Sequence, residues 1–275
     1  MRIMWLDSHC HITADKFSGD RSEVLERARE AGVDTLVAIG SGYGAEGNAS
    51  AVDLASGDPR IFAAVGVHPH EASELDDRGR TEIRSQLEHP KVVAVGECGL
   101  DYHYMNSPCE IQREVFAEQV ALARELDFPV VIHVRGDAPD AYEELLDIWI
   151  AEGRGELEGV LHCYTGTLPF ARRALDHGFY VSFSGIVTFK RSEELRAVAR
   201  GLPLDRLMVE TDAPFLAPEG HRGRRNEPAW VPLVGETLAR LHETSIDEVA
   251  RITRANASRL FRLPEASVGS PGEPR

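Results

Sequence analysis

Short apolar runs alternate with amphipathic stretches along almost the whole chain. Runs such as VDTLVAIG, IFAAVGV and PVVIHV are nearly continuous in Val, Ile and Ala, which is typical of strands buried on both faces of a parallel sheet. The stretches between these runs have helical spacing, for example over 21–31, 111–126 and 192–200. The pattern therefore predicts strands and helices in strict alternation.

Eight strand–helix units can be distinguished. The predicted strands read IMWL, VDTLVAIG, IFAAVGV, VVAVGE, PVVIHV, GVLHCY, FYVSFS and DRLMVET. Predicted helices lie at 21–31, 45–56, 111–126, 138–152, 168–177, 192–200 and 228–243, with polar, acidic sequence through 88 and an additional helix near 246–261. Eight repeats in about 260 residues indicate an α/β protein with a (β/α)₈ TIM barrel. A doubly wound sheet is the competing architecture, but no GxGxxG follows the first strand.

Composition agrees with a single domain, which we place at residues 1–263. Hydrophobic residues make up 43% of the chain, enough for a sizeable core. No apolar run approaches the roughly 20 residues that span a bilayer, and the N-terminal sequence becomes polar too early for a signal peptide. We therefore expect a soluble, cytoplasmic protein with no membrane association. The tail at 264–275 is rich in Pro, Gly and Ser, so we expect it to be disordered.

Charge and cysteine content narrow the function classes. The net charge of −15 argues against broad electrostatic affinity for nucleic acid, although bound cations and a few arginines in a cleft are compatible with a nuclease. The four cysteines contain no CxxC pair, so neither a zinc knuckle nor a disulfide framework is predicted. Cys10, Cys98 and Cys163 adjoin candidate ligands. Neighbours on a strand point to opposite faces, so we expect these thiols to be buried and to face away from the site.

Six potential metal ligands end separate apolar runs. They are His9, His11, Glu97, His133, His162 and Asp212. In a barrel, residues at the carboxyl ends of the strands line the active site, so these side chains are expected at one rim. Nitrogen and oxygen donors that converge from distant segments are what a catalytic metal site requires.

Each candidate also has an ordinary structural explanation. His9 and His11 share a face of a strand, but HxH alone is a weak signal, and Asp7 could support such a pair as a hydrogen-bond partner. Glu97 could form a salt bridge to an arginine, because a buried carboxylate is costly unless it is paired or bound to metal. A single buried histidine is usually a core residue. Two buried histidines at equivalent positions of successive repeats favour metal ligation instead, as is the case for His133 and His162.

The number of donors favours two ions. Six ligands exceed the three or four that a single catalytic zinc uses. We predict two divalent ions, with His9, His11 and Asp212 on one, His133 and His162 on the other, and Glu97 shared. Zinc or manganese is favoured over magnesium by the imidazole ligands. Asp212 is also assigned to general-base catalysis, and Glu210, deeper on the same face, is assigned to the support of the site.

Several motifs, in order, resemble the TatD family of metal-dependent deoxyribonucleases, within the amidohydrolase-like barrels. The matching stretches are DSHCH, GVHPH, GECGLDYH, VIHVR, LHCYTG, SFSGIVTFK, ETDAPFLAP and RGRRNEP, which extend from Asp7 to about Phe261. The departures are VIHVRGD, where the family often has a serine after the histidine, and HCYTG in place of HCFSG. The resemblance implies a TIM barrel of the metallo-dependent hydrolase type and the same six metal ligands. Among these we assign Asp212 and Glu97 as the catalytic carboxylates. The resemblance also implies 3′-5′ exonuclease-like hydrolysis of DNA, either single-stranded or at 3′ ends.

The resemblance also implies contacts to substrate. His68 is expected to line the site, where it could bind a phosphate or assist proton transfer, the alternative being a capped loop histidine. Arg135, Lys190 and the 222–225 arginine cluster are candidate phosphate contacts, or else solvated loop charges, and His103 could alter local contacts. Hydrolysis of another ester or amide, such as a phosphotriester or an aminoacyl-tRNA, stays open, as does a metal-binding scaffold without turnover. We expect a monomer.

Overall fold

Eight parallel strands pair in chain order to form one sheet. The computed structural model describes residues 4–136 and 140–264. The strands are β1 (Trp5–Cys10), β2 (Val33–Ile39), β3 (Ile61–Val65), β4 (Val92–Asp101), β5 (Val130–Arg135), β6 (Gly159–Leu161), β7 (Phe179–Phe183) and β8 (Leu207–Val209). The helices are α1 (Arg21–Glu30), α2 (Gly44–Gly57), α3 (Asp77–Leu87), α4 (Cys109–Leu126), α5 (Asp140–Gly153), α6 (Leu168–Asp176), α7 (Glu193–Gly201), α8 (Val231–Leu241) and α9 (Ile246–Leu260).

Hydrogen bonds beyond the end of β8 bring the last strand back to the first. The Asp212 N–H donates to the His9 carbonyl at 3.0 Å, and the His11 N–H donates to the Ala213 carbonyl at 2.7 Å. The sheet is thus a nearly closed barrel, which confirms the predicted (β/α)₈ architecture. A doubly wound sheet reverses its strand order midway, so the sequential order found here excludes that alternative.

The barrel interior is apolar at one end and polar at the other. Its apolar cluster includes Val131, Val160 and Met208, and Leu260 and Phe261 at the end of α9 join it. Since side chains alternate along a strand, the residue two positions beyond each of these strand residues faces the same interior, nearer the carboxyl end. Those positions are occupied by polar side chains: His133, His162 and Glu210.

Two glycines shape β4 around Glu97. Gly96 and Gly99 have φ of +133° and +144°, a region that residues with a side chain rarely adopt. A Cβ on Gly99 would lie 1.9 Å from the carbonyl oxygen of His133. Glycine therefore allows β4 and β5 to approach closely, and the strand register shifts between Gly96 and Cys98.

The boundaries of the domain are only partly covered by the described residues. The predicted disordered tail lies outside them from residue 265 onward, as do the first two residues of the predicted helix at 138–152.

Among the helices of the described ranges, none combines the length and apolar character needed to cross a bilayer.

Candidate metal centre

All six predicted ligands lie in the carboxyl halves of strands or just beyond them, and they meet in one place. An open cavity of about 590 Å³ is lined by five of them: His11, Glu97, His133, His162 and Asp212. His9 is fully buried against this group, and its ring stacks on that of His162 with 3.8 Å between the centroids. Residues up to 203 positions apart in the chain are thus brought into one cluster by the barrel.

Four of the donor atoms form one set. His9 Nε2 lies 3.3 Å from His11 Nε2, 3.4 Å from Glu97 Oε2 and 3.6 Å from Asp212 Oδ1. His11 Nε2 lies 3.7 Å from the same glutamate oxygen and 3.5 Å from the same aspartate oxygen. Tetrahedral ligands about 2.0–2.2 Å from an ion are separated by about 3.3–3.6 Å. The spacing of the His9, His11 and Asp212 atoms therefore fits a single divalent ion, and Glu97 Oε2 lies beside both histidines.

The second oxygen of Glu97 faces a different set. His162 Nε2 lies 2.7 Å from Glu97 Oε1, and His133 Nδ1 lies 3.0 Å from it. The two histidine nitrogens are 3.4 Å apart. Glu97 thus directs one carboxylate oxygen toward each group of histidines.

The hydrogen bonding of Glu97 is incomplete. Its Oε2 atom is buried and accepts no hydrogen bond from the residues described, and its close charged neighbours there are histidines rather than an arginine. The salt bridge considered from the sequence is therefore absent from the described part of the chain. An unsatisfied buried carboxylate oxygen is costly, and a bound cation would remove that cost. The environment of Glu97 therefore fits a metal ion.

Protonation in this cluster depends on burial and on close charges. Burial raises the pKa of Glu97, but His162, His68 and His9 outweigh it and hold that pKa well below its usual value. Burial lowers the pKa of His162, but Glu97 and Glu210 outweigh it and hold that pKa well above its usual value. Without metal, the cluster therefore pairs the ionised carboxylate of Glu97 with a protonated His162.

A carboxylate lies behind each histidine of the second set. His162 Nδ1 is 3.2 Å from Glu210 Oε1, which also accepts the Cys163 N–H at 2.7 Å. His133 Nε2 is 3.0 Å from Asp101 Oδ2. An ionised carboxylate can only accept, so these ring nitrogens carry protons and the opposite nitrogens are the ones that face the site. Glu210, fully buried, thus lies where a supporting residue was predicted.

The sequence interpretation did not single out Asp101. Besides His133, its Oδ2 contacts His70 Nε2 at 3.0 Å, and its Oδ1 accepts the N–H groups of His103 and Tyr104. Asp101 lies four residues beyond Glu97 in the GECGLDYH motif, which is a same-face spacing on a strand. That spacing is the sequence signal that could have identified Asp101 as a residue of the site.

His68 both caps a loop and lines the cavity. The His70 N–H donates to His68 Nδ1 at 3.1 Å, so the ring caps the short helix Pro69–Glu74. His68 Nε2 faces the site, 3.5 Å from Glu97 Oε1. Burial lowers the pKa of His68 to about 4, and a neutral ring that accepts at Nδ1 carries its proton on Nε2. His68 therefore presents an N–H donor to the cavity, although its spacing to Glu97 and His133 would also suit a ligand.

Of the predicted basic contacts, Arg135 lines the cavity. The other basic candidates are outside the described cavity lining: Lys190 lies 3.8 Å from Glu219, and Arg222 stacks on Phe189. Arg225 donates to both carboxylate oxygens of Asp20 at 2.6–2.7 Å. The structure therefore places Arg135 at the cavity and gives Arg222 and Arg225 packing and ion-pair partners instead.

Two expectations about neighbours of the ligands are wrong. Cys10 and Cys98 are buried in the core as expected, but Cys163 lines the cavity, because the chain leaves the extended conformation there (φ +43°). Asp7 accepts from the backbone N–H groups of His9 and Thr211 and from the Thr211 hydroxyl. It joins the β1 and β8 segments and does not support a ligand ring.

Metal binding is expected to release protons and to strengthen with pH. Since Glu97 and Glu210 keep His162 protonated in the metal-free protein, a cation must displace that proton. Affinity should rise about tenfold per pH unit for each displaced proton, until the pH exceeds the raised pKa, and should level off above it. Titration calorimetry of zinc or manganese in two buffers with different ionisation enthalpies would count the protons. An affinity independent of pH between about 6 and 8 would contradict this.

The architecture and the donor cluster define a class of protein: barrel enzymes that use metal ions for hydrolysis. The family model of TatD related DNases matches residues 6–262, and the chain belongs to that family. It is 41% identical to the metal-dependent hydrolase YabD of Bacillus subtilis, over 94% of this chain and 100% of that protein. It is 38% identical to the 3′-5′ ssDNA/RNA exonuclease TatD of Cronobacter turicensis, over 93% and 97% of the two chains.

A solved structure supports the same relationship. The crystal structure of YJJV, a TatD homologue from Escherichia coli K12, superposes with a TM-score of 0.87 at 32% identity. The match covers 96% of this chain and 100% of that one. The resemblance stated from the motifs is thereby confirmed.

Proposed function

We propose that this protein hydrolyses phosphodiester bonds of single-stranded DNA from the 3′ end, with two divalent ions held by the six clustered residues. The observation that carries the proposal is that each oxygen of Glu97 faces its own set of nitrogen and oxygen donors. Ions bound there would lower the pKa of water and offset charge on the phosphoryl group. Zinc or manganese suits these imidazole-rich sets better than magnesium does.

The surrounding side chains have separate roles in this proposal. Burial raises the pKa of Asp212, but His11, His9 and His162 together bring it below its usual value, so the carboxylate is ionised at neutral pH. Asp212 takes the proton from the attacking water. His68 donates its Nε2–H to a phosphate oxygen, and the exposed guanidinium of Arg135 binds the phosphate at the cavity mouth.

The proposed direction of cleavage and the proposed substrate are inferred from the names of the relatives. The exonucleases from Cronobacter turicensis and Erwinia tasmaniensis are named for 3′-5′ action on single-stranded DNA and RNA. An open cavity at the end of a barrel suits a free strand end better than a continuous duplex. Monomeric state and cytoplasmic location are inferred from the sequence alone.

The test uses protein purified without chelators and a single-stranded oligonucleotide labelled at its 5′ end. We expect a ladder of labelled products shortened stepwise from the 3′ end, its loss in EDTA, and its recovery with zinc or manganese. A panel containing a phosphotriester and an aminoacyl-tRNA is assayed under the same metal conditions. Cleavage of a panel member in place of DNA would replace the proposed substrate. Metal-free protein without any hydrolase activity would instead support a scaffold.

A further inference from the structure

Exposed apolar side chains are concentrated around the mouth of the cavity. Tyr43, Tyr104 and Phe215 line it, with 39%, 55% and 43% of their surface exposed. Met105, beside Tyr104, is 53% exposed. Elsewhere in the described ranges, the exposed large hydrophobic residues are Met4 and Ile150. Apolar surface grouped around a polar site points to a ligand that covers it.

The three rings lie on the two sides of the donor cluster. The Tyr43 and Phe215 rings are centred 5.5 Å and 6.0 Å from the ring of His11, in the first donor set. The Tyr104 ring is centred 5.5 Å from that of His70, which shares Asp101 with His133 of the second set. We call Tyr43 and Phe215 the first shelf, and Tyr104 the second shelf.

Each shelf also carries a cation. Lys16 Nζ lies 5.0 Å from the centre of the Phe215 ring, and the Arg135 guanidinium lies 4.8 Å from the centre of the Tyr104 ring. Both shelves therefore carry positive charge although the net charge of the protein is −15. Rings beside cations match the alternation of bases and phosphates along a single strand.

We propose that the two shelves stack the nucleobases on either side of the scissile phosphate. This rests on the proposed function, because it assumes that the phosphate is bound at the donor cluster. Stacking requires an exposed base face, which a single strand offers and a continuous duplex does not. The substrate class is thus single-stranded nucleic acid with at least two nucleosides, rather than a small phosphate ester. Because every base has a flat face, the shelves tolerate any sequence.

The experiment compares two oligonucleotides, one normal and one in which the two 3′-terminal nucleosides lack their bases. Initial rates yield KM and kcat for the wild type, for Tyr104→Ala and for Phe215→Ala. Fluorescence anisotropy in EDTA yields the affinity without cleavage. Tyr104→Phe and Phe215→Tyr retain a ring, and Ile150→Ala removes an exposed apolar side chain outside the described cavity lining.

We expect each alanine variant to weaken binding and raise KM for the normal strand by about 5- to 100-fold, the range for loss of one stacked base. The strand lacking bases should bind more weakly to the wild type and respond little to the same substitutions. The ring-retaining variants should restore most of the binding that the alanine variants lose, and Ile150→Ala should match the wild type. If Tyr104→Ala loses native near-UV circular dichroism, Tyr104→Leu replaces it, with the same expectation.

Other outcomes would overturn the shelves. Equal losses for the two strands would assign the rings to loop structure, and unchanged affinity in both alanine variants would remove them from substrate binding. Binding that depends on the rings, without cleavage of any strand, would contradict the proposed function but support the stacking role. Cleavage of DNA that does not depend on the rings would support the proposed function and exclude the stacking role.

Discussion

Glu97→Gln is expected to lower kcat by about 10³-fold or more and to reduce bound metal from the proposed two ions per chain to at most one. Glutamine retains the size of the side chain but has no charge, and its amide nitrogen cannot act as a second anionic donor. In Glu97 the two oxygens face separate donor sets, so one substitution affects both. Metal ions contribute several kcal/mol to the stabilisation of transition-state charge, and each 1.36 kcal/mol corresponds to tenfold in rate.

Metal content by atomic emission and kcat on a single-stranded oligonucleotide would be measured on the same preparations. Glu227→Gln is the matched control, since Glu227 is a buried glutamate that pairs with Arg27 at 2.6 Å and is outside the described cavity lining. The control should retain both ions and wild-type kcat. A Glu97→Gln enzyme with two tightly bound ions would rule out the bridging role.

Asp212→Asn is expected to lower kcat by about 10²- to 10⁴-fold, the range for loss of a general base, while most of the metal is retained. Asparagine keeps an oxygen in the place of Oδ1, 3.5–3.6 Å from the His9 and His11 nitrogens, but it cannot accept the proton of water. KM should change little. Asp212→Ala removes the donor oxygen as well, so it should also lose metal from the first donor set.

The comparison of the two variants separates ligation from proton transfer. In wild type, the lowered pKa of Asp212 predicts that kcat falls as acid protonates the carboxylate. When the metal concentration saturates the site at every pH, that acidic decline should be absent from the residual activity of Asp212→Asn. Undiminished activity in Asp212→Ala would eliminate both roles.

Most of the architecture followed from local patterns. Buried parallel strands require nearly continuous apolar runs, and helices outside a barrel require an apolar stripe, so both are visible in short windows of sequence. The polar residues that end the runs at His133, His162 and Asp212 were visible for the same reason. The sequence could also place them at one rim, because successive parallel strands end on the same side.

The less successful predictions concerned side-chain partners. Asp7 was adjacent to the ligands but contacts Thr211, and Arg225 resembled a phosphate contact but pairs with Asp20. Cys163 was expected to face away, but the chain turns there. Each outcome depends on a backbone turn or on a residue distant in the chain, and neither is encoded by periodicity.

The sequence by itself determined the alternation of strand and helix, the barrel, and the six polar residues at its rim, because burial imposes these patterns on neighbouring residues. Only the tertiary structure decided which donor atoms face each other: one Glu97 oxygen toward each histidine set, and a carboxylate from Asp101 or Glu210 behind each histidine of the second. It also placed aromatic rings on both sides of the cavity. These arrangements depend on strand register, glycine-dependent close approach and barrel closure, which exist only once distant segments have packed together.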